Sequence, residues 1–130
     1  MIAKLTGTID SIKPSECIVD VHGVGYLVHI PLSTFEKISG EKKVSLCIFT
    51  LHREDTFRLY GFHSSREREL FALLLDISGI GPSMALSILS WLSVERFVQA
   101  VSREDTSALV AVPGIGKAKA EKLLFEMKRK

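Results

Sequence analysis

Two short glycine motifs, thirty-five residues apart, have the residue types and the spacing best suited to bind a ligand. The first is Gly79-Ile80-Gly81 and the second is Gly114-Ile115-Gly116, and in each an alanine follows after three further residues. Glycine permits a sharp turn with positive φ and leaves the backbone uncovered by side chains. A helix that begins directly after such a turn offers free amide groups and the positive end of its dipole to an anion. The repeat therefore predicts two backbone sites for phosphate groups.

The residues around the two motifs match as well, which makes a chance repeat improbable. We expect the central isoleucine of each motif to pack between two helices and the alanine to let those helices approach closely. A single Gly-x-Gly more often marks a tight turn between helices, so the functional interpretation depends on the second copy. The aligned pairs are Leu74 with Leu109, Ile77 with Val112, Ala85 with Ala120, Ile88 with Leu123, and Leu89 with Leu124.

Positive charge collects beside the second motif, although the net charge of the chain is only +2. The segment 113–130 carries six basic and two acidic residues, and Lys117 lies directly after the second motif. A phosphate can approach the backbone of such a turn but a base edge cannot, so binding would be independent of DNA sequence. The predicted DNA-binding residues are Gly79, Ile80, Gly81, Ser83, Gly114, Ile115, Gly116, Lys117, Lys119 and Lys122.

Other kinds of site find little support in the sequence. The segment around Lys117 lacks the upstream glycine of a nucleotide-binding P-loop, and Ala118 stands where serine or threonine would hold magnesium. Cys17 and Cys47 lie in alternating apolar runs and are expected to be buried small apolar residues. The four histidines are scattered. We therefore expect no metal site and no cofactor.

The sequence predicts a soluble cytoplasmic protein without membrane contact. Its apolar runs fall short of the ~18 residues that a membrane span needs. The residues after Met1 lack the long apolar core of a secretory signal peptide.

The first half of the chain must form strands, because its apolar residues alternate with period two. Strands are expected at 2–9, 17–22, 26–30, 43–52 and 57–62, with Gly23-Val24-Gly25 as a turn. Ser33 and Glu36 have the spacing of a capping box and predict a short helix between the third and fourth strands. This order is typical of an OB-type barrel, and a small open sandwich fits nearly as well.

The second half has helical periodicity from residue 64 onward. The predicted helices are 66–76 with Leu70, Leu73 and Leu74 on one stripe, one that begins at Pro82, one capped by Ser93, one capped by Ser102 with Asp105 three residues on, and one from Lys117 to the end. The fold class is therefore α+β and multidomain. A five-stranded OB-type β-barrel domain over 1–63 is followed by an all-α domain over 64–130 with two helix-hairpin-helix motifs.

Taken together, these motifs resemble the RuvA family, the subunit of a bacterial branch-migration complex that binds Holliday junctions. The resemblance covers all 130 residues. It is carried by the stretches Met1-Ile2-Ala3-Lys4-Leu5-Thr6-Gly7, Gly23-Val24-Gly25-Tyr26, Arg53-Glu54-Asp55, Leu59-Tyr60-Gly61-Phe62, Gly79-Ile80-Gly81-Pro82 and Pro113-Gly114-Ile115-Gly116-Lys117.

The resemblance implies a flat homotetramer, or two such tetramers stacked as an octamer, that holds a four-way DNA junction open and square. It implies a non-catalytic role in recombination and DNA repair, in which a RuvB-type ring ATPase drives branch migration and a RuvC-type junction resolvase is a further partner. By position, Glu54 and Asp55 would form an acidic pin at the centre that repels phosphate. On sequence alone they would be solvated turn residues.

The chain departs from the pattern of the family at three points. Several relatives have a lysine where this chain has Ser83, and often a second one where it has Ala118. The side-chain contribution to phosphate binding should therefore be smaller, with Lys119 and Lys122 compensating. The family normally continues through a linker into a third domain that contacts the motor, and we expect that domain to be absent from this chain.

Two alternatives and one assembly prediction remain open at this stage. A DNA glycosylase with this hairpin would need a catalytic aspartate downstream, and none follows Asp105; a nuclease would need a metal cluster. A single-strand binder would need exposed aromatic residues on the barrel, whereas most of its aromatics fall at positions expected to be buried. The tetramer interface is expected on apolar surface of the barrel and of the helix around Leu70, Phe71 and Leu74.

Overall fold

The first half of the chain folds into a closed barrel of five strands in the order β1-β2-β3-β5-β4. All neighbours pair antiparallel except β3 and β5, which are parallel and share only two residue pairs. Closure confirms the OB-type barrel and rules out the open sandwich. The computed structural model describes all 130 residues, and its strands are β1 (Lys4–Lys13), β2 (Glu16–Val21), β3 (Val24–His29), β4 (Lys43–Arg53) and β5 (Thr56–Phe62).

Strand β1 is longer than the alternation predicts, and its register shifts between Ile9 and Ser11. The predicted turn at 23–25 is shorter than expected. His22 and Gly23 make it with positive φ, while Val24 and Gly25 already pair with β2. The short turn lets β2 and β3 pair along their whole length.

The barrel core follows the alternation of the sequence. Cys17, Val19 and Val28 point inward and are fully buried. Burial raises the pKa of the Cys17 thiol to about 11, with a smaller contribution from the negative charge of Glu16. Cys47 was predicted to be buried too, but it is only half-buried, because it lies on β4 between the inward-facing positions.

Helix α1 (Leu32–Ile38) crosses between β3 and β4 as predicted, but the predicted capping box does not form. The helix begins earlier than expected, with Pro31 as the N-cap and no side-chain cap. Ser33 therefore lies within the first turn, and its hydroxyl donates to the carboxylate of Glu67 at 3.4 Å. Ser64 caps the next helix instead: its Oγ accepts from the Glu67 amide, and its hydroxyl donates to the Glu67 carboxylate at 3.0 Å.

Five further helices complete the chain, and the starts of two were predicted correctly. Pro82 occupies the first turn of its helix, and Ser93 accepts a hydrogen bond from the amide of Arg96. Both observations confirm the sequence analysis. The helices are α2 (Ser65–Leu75), α3 (Pro82–Trp91), α4 (Val94–Ser102), α5 (Thr106–Val110) and α6 (Lys117–Lys128).

The predicted cap at Ser102 is wrong. Ser102 ends α4, and Asp105 caps α5 by accepting from the amide of Ala108 at 3.3 Å. Asp105 also accepts a hydrogen bond from the Ser107 hydroxyl. These bonds, that from Ser107 first, lower the pKa of the Asp105 carboxyl below its ordinary value. An ionised carboxylate that accepts an amide is a stronger cap than a serine three residues further back.

The chain divides into two compact units, Met1–Arg68 and Glu69–Lys130. No single helix has the length and apolar composition to cross a membrane. The helices α3 and α4 meet those limits only as a pair, and they are bent by 96° to each other.

The residues predicted to form a subunit interface are not on the surface. Leu70, Phe71 and Leu74 are at most 5% exposed, so they belong to the core of the single chain. Leu73, which was expected to share their stripe, is exposed instead. An apolar stripe on a helix indicates burial, but it does not say whether a partner subunit or the same chain provides it.

Candidate nucleic-acid interface

The two glycine motifs fold into hairpins with the same backbone conformation. Gly79 and Gly114 have φ of +90° and +89°. Gly81 and Gly116 are the N-caps of α3 and α6, with φ of −93° and −90° and ψ near 180°. The sequence repeat is therefore a structural repeat, and hairpin 1 (Ile77–Gly81) and hairpin 2 (Val112–Gly116) are two copies of one element.

The hydrogen bonds of the two hairpins also correspond. The amide of Ile80 donates to the carbonyl of Ile77, and the amide of Ile115 donates to that of Val112, both at 3.1 Å. Both isoleucine side chains are buried, with at most 6% of their surface exposed. Neither their amides nor their side chains are free to meet a ligand. Ile80 and Ile115, both predicted as DNA-binding residues, hold the turn through these amide bonds and buried side chains.

Several backbone amides at the start of α3 have no partner within the chain. The first intrahelical bond runs from the amide of Ala85 to the carbonyl of Gly81. The amides of Gly81, Ser83 and Met84 precede it and make no recorded hydrogen bond. Pro82 supplies no amide. Three donors therefore converge on the first turn of a helix at its positive end, which is an arrangement that binds anions.

Helix α6 offers one donor more than α3. Its first intrahelical bond joins Ala120 to Gly116, and the four preceding amides are free: those of Gly116, Lys117, Ala118 and Lys119. The fourth arises because Lys117 stands where the first copy has a proline. Sequence reasoning missed Met84 and Ala118 as amide donors. The rule that the first helical turn leaves its amides unsatisfied would have found both.

The two glycines of each motif have different roles, which corrects the expectation that both require positive φ. Only Gly79 and Gly114 lie in the left-handed region that favours glycine. A Cβ built on Gly81 or Gly116 meets no atom within 4 Å, and their φ suits any residue. The second glycine therefore leaves the space in front of the free amides open.

The predicted side chains around the hairpins differ in exposure and in hydrogen bonding. Ser83 and Lys117 are exposed on the first turns of α3 and α6, and Lys119 is half-buried without a recorded hydrogen bond. Lys122 donates from its Nζ to the carbonyl of Ser78 in hairpin 1 at 2.7 Å. It is the one predicted lysine that already has a polar partner within the chain.

Glu54 and Asp55 form the two-residue turn between β4 and β5. Both side chains are exposed, and Arg53 pairs with Thr56 directly behind them. The Thr56 hydroxyl donates to the Asp55 carboxylate at 3.3 Å. The turn presents two carboxylates to solvent, as a phosphate-repelling element requires.

The aromatic residues of the barrel do not form a stacking platform. Tyr60 is buried, Tyr26 and Phe49 are half-buried, and only Phe57 is strongly exposed, at 61%. Phe57 packs its ring edge-on against His52, with ring centroids 5.7 Å apart. Single-strand binding on this face would need several exposed rings, so the barrel does not favour that alternative.

In comparisons with known proteins, the barrel and the helical part of the chain match two different families. Residues 1–61 match the family described as RuvA N terminal domain, and residues 71–129 match the SAM-like helix-hairpin-helix tandem. The relative from Delftia acidovorans is 51% identical over 131 residues, covering 100% of this chain and 69% of its own length. Those from Pelobacter propionicus and Pseudomonas putida are 49% and 45% identical and cover 66% and 63% of their own lengths. All three carry the name Holliday junction branch migration complex subunit RuvA.

The closed barrel and the paired hairpins define a barrel protein with a tandem helix-hairpin-helix domain. Relatives of about 50% identity along the whole chain narrow the class to a single family. The chain belongs to the RuvA family, and it spans about two thirds of the length of these relatives.

Proposed function

We propose that the chain binds four-way DNA junctions through their phosphate backbones, without sequence preference, and holds them open for branch migration during recombination and repair. The observation that carries the proposal is the pair of equivalent hairpins. Each offers free amides at the start of a helix, with no side chain at Gly81 or Gly116 to cover them. Two such sites on one compact unit suit two phosphates of the same DNA arm.

The chain has a binding role rather than a catalytic one. The relatives are named as subunits of a branch migration complex, and the driving step belongs to a partner of the RuvB-type ring ATPase class. A RuvC-type junction resolvase is a second proposed partner. A cytoplasmic location stays a prediction.

Four-fold assembly is part of the proposal, since a four-armed substrate is matched by one subunit per arm. The surface involved cannot be the buried face of α2. We therefore propose that the subunits contact one another through exposed apolar residues of the barrel, which are Val24, Leu27 and Phe57. Light scattering that finds only monomer at micromolar concentration would count against the assembly.

Fluorescence anisotropy with an immobile junction and a linear duplex of the same composition tests the function. We expect the junction to bind more tightly, scrambled arm sequences to bind alike, and affinity to fall steeply with salt. Equal affinity for junction and duplex, or a strong preference for one arm sequence, would overturn the proposal.

A further inference from the structure

The two hairpins are joined by a polar contact that crosses from one motif to the other. Lys122 lies on α6, which belongs to the second motif, and its Nζ donates to the carbonyl of Ser78 in hairpin 1 at 2.7 Å. That carbonyl accepts no backbone hydrogen bond. An ammonium is a stronger donor than a neutral group. The contact fixes α6 relative to a turn forty-four residues away.

A second contact crosses in the opposite direction. Met84 lies on α3, in the first motif, and its methyl group faces hairpin 2. A Cβ added to Gly114 would lie 3.1 Å from Met84 Cε. In each motif, one side chain of the second helix therefore lies against the turn of the other motif. Such a reciprocal arrangement sets the distance between the two groups of free amides.

Lys122 lies at an open pocket between the two motifs. A cavity of about 310 Å³ separates the turn Ile77–Ile80 from the Ala118–Leu123 stretch of α6, and Lys122 is one of its lining residues. The Lys122 ammonium crosses this pocket to Ser78 and adds a polar contact between the two motifs.

We propose that Lys122 is a positioning residue for DNA binding: it ties hairpin 1 to α6 and so holds the two phosphate sites at a fixed separation. This differs from the direct phosphate contact that the sequence suggested. The inference rests on the proposed function, because it concerns the geometry of the same two hairpins. Neighbouring Lys119, which has no recorded partner, keeps the direct role.

The test compares Lys122→Met with Lys119→Met and Lys122→Arg. Methionine keeps most of the aliphatic chain and removes the donor, and arginine restores a cationic donor. Junction affinity is measured for each variant at several salt concentrations, with thermal melting to verify that the fold is retained. A lysine that neutralises a phosphate contributes about 0.9 to the slope of log K against log salt, whereas an ammonium bonded to a backbone carbonyl contacts no phosphate and should contribute much less.

We expect Lys122→Met to bind the junction about two- to tenfold more weakly for each subunit engaged, the range for one net hydrogen bond, with a salt slope close to that of the parent. Lys122→Arg should recover most of that affinity. Lys119→Met should lower the slope by about 0.9 per subunit. Amide hydrogen exchange of the free protein should speed up at Ile80, whose amide is hydrogen-bonded in hairpin 1, in Lys122→Met and stay unchanged at Ile115 in hairpin 2.

Three results would overturn the inference: parent-like binding by Lys122→Met, a slope that falls as in Lys119→Met, or failure of arginine to restore binding and slow exchange. None of them bears on the proposed function. That function fails instead if the parent chain does not prefer the junction to the duplex. Failure of the inference is therefore measured on the Lys122 variants, and failure of the proposed function is measured on the parent chain.

Discussion

Replacing Gly116 by aspartate should stabilise the fold and weaken DNA binding at the same time. Gly116 is the N-cap of α6, with φ −90° and ψ −179°, the conformation in which aspartate caps well. A Cβ there meets nothing within 4 Å, so the side chain costs no packing. Its carboxylate can accept from the free amides of Ala118 or Lys119. Relative to glycine, the cap and the helix dipole together contribute about 1 kcal/mol.

The same carboxylate should oppose DNA. It occupies the amides that a phosphate would use and adds a negative charge within a few ångströms of one. At an effective dielectric between that of a protein surface and that of water, this repulsion is worth about 1–3 kcal/mol. Junction affinity should therefore fall about five- to a hundredfold for each subunit engaged.

Thermal melting and junction anisotropy on one preparation measure the two effects. A gain of 1 kcal/mol corresponds to a rise in Tm of about 4–8 °C for a unit of this size. Gly116→Asn is the matched control, since asparagine caps equally well without the charge. It should keep part of the gain in stability and lose less binding. If Gly116→Asp binds the junction like the parent, the amides of α6 are not the phosphate site, and if it melts lower, the cap assignment is wrong.

Three further changes test other parts of the structure. Gly114→Ala should destabilise the chain by about 1–2 kcal/mol in urea denaturation, because φ is +89° there, whereas Gly81→Ala should change stability by less than about 1 kcal/mol; equal losses would contradict the two roles given to the glycines. Glu54→Gln with Asp55→Asn should raise affinity for linear duplex and lower the preference for junctions in a competition assay, because both carboxylates are exposed and repel phosphate. Unchanged duplex binding would show that the two residues are not an acidic pin. The folded pKa of Asp105 lies below its ordinary value of 3.8, so its contribution to stability is complete above that pH and is lost as the pH falls through the folded pKa. Asp105→Asn should therefore lose less stability than the parent on acidification below pH 3.8, and parallel acid titrations would contradict the cap.

Alternation and repetition predicted the barrel and the paired hairpins, because both arise from regular spacing along the chain. The caps were harder to predict. Ser33 and Ser64 each precede a glutamate by three residues, yet only Ser64 caps a helix with its side chain. Pro31 starts the earlier helix sooner than the pattern indicates, and Ser33 then turns to Glu67, the partner of the other serine. Both serines bind the same carboxylate, one on each oxygen, and the contact from Ser33 depends on the tertiary fold.

The interface prediction failed for a related reason. The burial of Leu70 and Phe71 depends on what faces α2 in three dimensions, and the periodicity of one helix does not contain that information. The hydrogen bond from Lys122 to Ser78 could not be predicted from sequence either, since it joins residues forty-four positions apart. From sequence alone, a basic residue near a phosphate site is predicted to contact the ligand. Only the structure shows that it has an acceptor within the chain.

The second glycine of each hairpin gives the strongest argument for function. At Gly81 and Gly116 the backbone would accept any residue, and serine, asparagine or aspartate would cap the helix better than glycine. Both copies of the motif nevertheless have glycine at this position, so helix stability does not account for the choice. Every alternative side chain would stand in front of the free amides or compete for them. Access of an anion to those amides explains both glycines with one requirement, and it is the requirement that Gly116→Asp removes.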